Sequence, residues 1–209
     1  MIKFLYREKN KVLFFLIIIS TVSFFDTIRK GLINGCDFQW HPAKLFWDGI
    51  NHYEKFLNQG NFDFLCQGGQ YAHGLHVILF PYTLFEWEIA RPMWVITNVI
   101  FALTIPFILC KKFNISKYKS ILVLLIFLTS YPTRMTINYG QQSLLVLFFL
   151  ILPFIYKSNF FSFLSGMSIF KYSTGYVIFL YLLIKKEYKK FFFATLPYIL
   201  GWIIYFTYT

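Results

Sequence analysis

Charge is scarce in this chain, and negative charge scarcest: 14% of its 209 residues are charged and only nine are Asp or Glu. So few charges do not clothe a water-soluble domain, and the composition points to an integral membrane protein. No Pro-, Gly- or Ser-rich linker divides the chain and no period of 20 to 50 residues repeats, so we read residues 1–209 as one membrane domain. A nucleophile elbow, a P-loop and a dinucleotide fingerprint are all missing. The spacing of the four histidines fits no specific metal motif, and no metal or other cofactor is expected. No small-x-small cleavage site follows the basic start and the first apolar run, which favours an uncleaved first span over a signal peptide.

Apolar residues fill what charge leaves. They make up 57% of the chain, with 23% aromatic, and the mean hydropathy is +0.56. Seven runs stand out, at 12–25, 92–110, 120–131, 142–156, 159–170, 172–184 and 191–206, and at about 20 residues per crossing they predict an all-α fold of about seven transmembrane helices, several of them short. The net charge of +11 comes from lysines at the ends of these runs, the pattern of membrane orientation rather than of nucleic-acid binding. Lys3, Arg7, Lys9 and Lys11 put the N-terminus on the cytoplasmic side, as do Lys111, Lys112, Lys117 and Lys119 for their connection, and Lys185, Lys186, Lys189 and Lys190 for theirs. With alternating runs, 13 of the 20 Lys and Arg residues fall inside and seven of the nine acids outside. Residues 26–91 then form an outer loop with interfacial elements, one of them at 75–85, and residues 92–209 a helix bundle.

Two features of the bundle depart from plain spans. Lys171 interrupts residues 159–184, and a break there gives two helices of about 12 residues, about 18 Å each, too short for a hydrocarbon core of about 30 Å. The polar stretch 132–142 reads as a second turn at membrane depth. Backbone that turns at such depth must be buried in protein or line a wet cavity, so these short helices describe a cavity open to the outer face.

Candidate chemistry concentrates in a polar island at 35–53 and at the two breaks. Lys171, and Arg134 in the stretch YPTRMTINYGQQS, are cations suited to a phosphate or carboxylate; the alternatives are snorkelling and headgroup anchoring. Asp37 follows Gly35 just beyond the first span, where a carboxylate serves either as a base or as a helix cap. His41 lies one helical turn after Asp37, and His73 with His76 can also share a face. Cys36 and Cys66 both fall in the outer segment, where a disulfide between them can persist, whereas Cys110 lies at the inner end of a run.

The order of short motifs resembles glycosyltransferase family 87, bacterial membrane mannosyltransferases of the GT-C superfamily that use a polyprenyl-phosphate donor. The motifs are GCDF (35–38), DGINHYE (48–54), Tyr71 with FPY (80–82), Trp94 with Asn98, YGQQS (139–143), SGMSIFK (165–171) and the basic KKEYKK (185–190). The chain departs from the family pattern at His52, at Ala72 with His73, and at Ser143, and it resembles the N-terminal half of longer members.

The resemblance implies inverting transfer of a sugar, mannose in the family, to a glycolipid or glycan hydroxyl on the periplasmic face of the bacterial inner membrane. It implies Asp37 as general base, Lys171 and Arg134 on the departing phosphate, Gln141 and Tyr139 positioning sugar or phosphate, and His41 and Tyr53 near the acceptor. A second chain supplying further helices is a partner it leaves open. Two rival readings keep part of this machinery: a lipid-linked sugar carrier or flippase, or subunit of a split enzyme, needs the cations but not Asp37, and a purely structural membrane protein needs neither.

Overall fold

In a bilayer the backbone must satisfy its own hydrogen bonds, and apolar runs of this kind do so as helices. The computed structural model describes residues 9–36, 38–59 and 71–208, in which every regular element is helical. The all-α membrane class is therefore what the structure shows.

Three helices are long and apolar enough to cross a membrane. They are α1 (Lys9–Asn34), α5 (Trp87–Lys112) and α12 (Tyr188–Tyr208). Helix α1 outlasts its apolar run and carries part of the expected outer loop, Asp26 pairing with Arg29 at 3.0 Å and with Lys30 at 2.7 Å along its last turns. Spacings of three and four residues put these charges on one helix face, so the helix continues where hydropathy alone ends it.

The polar stretch expected as a turn is mostly helix. Residues Lys117–Thr129 form α6 and Tyr131–Tyr139 form α7, bent by 51° where they meet. Pro132 sits in the first turn of α7, where its missing N–H costs no intrahelical bond, and the Ser130 hydroxyl donates to the Phe127 carbonyl at 2.8 Å. Counted together, α6 and α7 make a fourth candidate span. The other expected spans are short helices: α8 (Ser143–Ile155), α9 (Asn159–Gly166) continued by a 3-10 turn at Met167–Phe170, then α10 (Tyr172–Gly175) and α11 (Val177–Ile184). The chain does break at Lys171, as the sequence predicts. At 1.5 Å per residue even the 13-residue α8 is about 20 Å long. Seven full crossings are thus not what length and composition support.

Between α1 and α5 lie α2 (Trp40–Trp47), α3 (His52–Gln59) and α4 (Gly74–Thr83). Helices α2 and α4 join the bundle through a core of Phe38, Trp40, Leu75, Leu79, Trp94 and Phe170, which draws on the α1–α2 connection, α2, α4, α5 and the 3-10 turn. A second core joins α5 to α6, α7 and α8 through Val95, Ile105, Leu128, Ile137 and Leu144. Helix α9 packs on α12 by close backbone approach. A Cβ on Gly166 would lie 1.9 Å from the Ala194 carbonyl oxygen, the small-residue contact by which helices associate where lipid is as apolar as leucine.

Candidate functional site

The α7–α8 turn organises the site. Gly140 takes φ +73, the left-handed conformation that glycine adopts without a Cβ clash, and so ends α7. Trp94 on α5 donates its indole N–H to the Gly140 carbonyl at 2.7 Å, and the Cys36 amide donates to the Tyr139 carbonyl at 3.1 Å. The α1–α2 connection is therefore held on this turn. Asp37 itself lies outside the described residues, but both its neighbours are placed. Cys36 is disulfide-bonded, and Phe38 is 1% exposed and stacks on Trp94 with centroids 4.5 Å apart. Cys66, its expected partner, also lies outside the described residues; Cys110 is free and buried.

One residue beyond the buried Gln142, Ser143 opens α8 and reaches the other break in the bundle. The Lys171 ammonium donates to Ser143 Oγ at 2.8 Å and lies 6.0 Å from the centre of the Tyr71 ring. Lys171 is half-buried at φ −103, ψ 80, outside the helical region, and its carbonyl caps α10 by accepting the Thr174 and Gly175 amides. Tyr71 is fixed from both sides. Its carbonyl accepts the Tyr53 hydroxyl at 2.5 Å, and the next amide, Ala72, donates to the Phe170 carbonyl at 3.2 Å. A cation, a serine hydroxyl and two tyrosines thus meet one element away from the turn that holds the neighbours of Asp37.

The remaining predicted residues divide. Tyr139 is 43% exposed and Gln141 half-buried on the organising turn itself, with the Gln141 amide donating to Thr136 at 2.8 Å. Arg134 points elsewhere: its Nε donates to Thr27 Oγ1 on α1 at 3.3 Å, and among the described residues no contact joins it to Lys171. His41 is half-buried beside the Trp40 ring, its pKa lowered by burial and secondarily by the charge of Lys55. Tyr53 serves Tyr71 as described and also faces the rings of His52, His73 and Tyr205.

That histidine cluster was not foreseen. His52 and His76 are fully buried with their Nε2 atoms 3.1 Å apart, and His73 stacks on Tyr205 of α12 at 3.7 Å. Burial, with the charge of His73 second, pushes the His52 pKa down to about 4; His76 is held well below the usual histidine range, again first by burial. Among the described residues, the Nδ1 atoms of all three rings have no hydrogen-bond partner. No three His, Cys, Asp or Glu side chains among the described residues are grouped to hold a metal ion. Four histidines within residues 41–76 were the available signal, but spacing paired His73 with His76 and could not pair His76 with His52. Asn98 was visible only beside Trp94 in a motif. It is fully buried one turn below Trp94, and neither amide atom has a hydrogen-bond partner among the described residues.

No curated protein and no solved structure matches the chain. Glycosyltransferase family 87 matches over residues 71–205, which takes in Tyr71, Arg134, Tyr139, Gln141, Ser143 and Lys171. Asp37, His41 and Tyr53 precede the matched residues. Because the match spans most of the helical bundle described above, the chain belongs to glycosyltransferase family 87, a family of membrane glycosyltransferases.

Proposed function

We propose that this glycosyltransferase moves a mannosyl group from a polyprenyl-phosphate donor to an acceptor hydroxyl on a glycolipid or glycan, at the outer face of the membrane and with inversion. The observation that carries the reading is the half-buried ammonium of Lys171, held by Ser143 at a helix break beside Tyr71. The Asp37 carboxylate takes the proton of the acceptor hydroxyl as that oxygen bonds to the anomeric carbon. The bond from that carbon to phosphate oxygen breaks, its electron pair leaving with the polyprenyl phosphate. Lys171 meets the charge that develops there, and a preorganised cation in a partly dry site lowers such a barrier by several kcal/mol. Gln141 and Tyr139 on the organising turn orient the sugar, and Arg134 acts by holding α7 against α1.

The test is transfer of labelled mannose from a synthetic polyprenyl-phosphate donor by purified protein in nanodiscs, with Asp37→Asn beside the wild type. The expected result is transfer by the wild type alone. Normal turnover by Asp37→Asn would overturn the assignment of the base. No transfer by either, with donor retained in a Lys171-dependent way, would make the chain a carrier or one part of a split enzyme.

A further inference from the structure

The far end of α5 carries a feature the reaction does not use. Between α5 and α6, beside the 113–116 turn, lies a cavity of about 800 Å³, within the range of ligand sites. Its wall is apolar, with Leu103 and Phe107 from one helix and Ile121 and Leu124 from the other, and Lys111 and Lys117 stand at its mouth. Leu103 lies about 12 Å along the helix axis from Lys111, at 1.5 Å per residue. The cavity is thus a slot running from a cationic rim toward the middle of the membrane.

Among the described residues no acidic side chain pairs with the rim lysines. Lys111, Lys112, Lys117 and Lys119 fall within nine residues, and the chain contains no Asp or Glu between Glu88 and Glu187. Lys112 spends its ammonium on the Ile155 carbonyl at 3.1 Å. Lys111 and Lys117 are exposed and have no acceptor among the described residues. Phe107, 67% exposed, has no protein packed over its outer face.

We infer that this slot binds an anionic diacyl phospholipid, with an acyl chain along Leu103, Phe107, Ile121 and Leu124 and the phosphate on Lys111 and Lys117. Apolar wall and cationic rim are ordered as a phospholipid orders its tails and headgroup, and a lysine near an anionic membrane surface favours such lipids. The sugar donor is excluded on distance: Lys111 is 17 residues, about 26 Å of helix, from Trp94 at the organising turn, so a donor phosphate here would leave its sugar far from the site.

The test is native mass spectrometry of the delipidated full chain with phosphatidylglycerol, phosphatidylcholine or undecaprenyl phosphate added. The comparison is between wild type, Lys111→Ala/Lys117→Ala and Lys185→Ala/Lys186→Ala, with helix content checked by circular dichroism. We expect one phosphatidylglycerol per chain, retained about 10- to 30-fold over phosphatidylcholine by the wild type and by the Lys185/Lys186 variant, with that preference gone in the Lys111/Lys117 variant. A groove-filling Thr104→Phe should lose both phospholipids. Equal retention of the two by the wild type, equal loss in both lysine variants, or displacement by undecaprenyl phosphate would overturn the inference. None of these readouts depends on sugar transfer.

Discussion

Lys171 shows how one side chain turns an apolar run into a site. A lysine midway along a spanning helix is expensive, and the chain avoids that cost by ending the helix at Phe170 and giving the ammonium a hydroxyl at 2.8 Å. Under the mechanism proposed above, Lys171→Met should lower kcat about 10²- to 10³-fold, the loss typical of removing one preorganised donor to a developing anion, while donor affinity falls less. Steady-state kinetics with the synthetic donor would measure this, and an unchanged kcat would remove Lys171 from the reaction. Trp94 has a structural task. Trp94→Phe removes the donor to the Gly140 carbonyl at a buried site and should cost about 1–3 kcal/mol in stability, read as a lowered thermal midpoint in detergent.

Elements hold the site through backbone contact, and this is where small residues matter. Helix α9 approaches α12 so closely that Gly166→Ala must push the helices apart, because the atom in the way is the Ala194 carbonyl oxygen rather than a movable side chain. The expected cost is about 1–3 kcal/mol, with the Lys171 break displaced along with α9. Thermal unfolding of Gly166→Ala beside Gly166→Ser checks it: the larger residue should be the worse, and a wild-type midpoint in both would contradict the packing. The glycine and the break were readable from sequence, but which backbone the glycine would meet was not, since no periodicity in 159–170 encodes its register against α12.

Across the whole molecule, the histidine cluster ties α3 and α4 to the end of α12 and makes the fold acid-sensitive. Burial keeps His52 neutral down to about pH 4, while in the unfolded chain the same ring takes a proton near pH 6.5. The unfolded state therefore binds more protons in that window, so stability is full above pH 6.5 and falls as pH drops toward 4, by up to about 1.4 kcal/mol per pH unit for this residue. His76, shifted the same way, adds to the loss. Thermal midpoints measured from pH 7.5 to 4.5 should decline for the wild type and decline less for His52→Asn/His76→Leu. Equal slopes would mean that the pair does not set the acid limit.

The membrane class, the all-α architecture, the break at Lys171 and the family were legible along the chain, because hydropathy, the cost of an unpaired backbone in lipid and short motifs are local properties. The number of crossings was not legible there: apolar composition marks a run as buried or lipid-facing without saying whether a helix of 13 residues crosses. What the polar residues touch became visible with the packing of the helices. Trp94 finds Gly140 across 46 residues, His76 finds His52 across 24 and Arg134 finds Thr27 across 107. Those distances depend on how helices stack, and stacking depends on backbone approach at glycines and on side-chain shape in the cores, neither of which leaves a period in the chain. The same stacking opened the slot beside Lys111 and Lys117, two residues that the sequence showed only as markers of orientation.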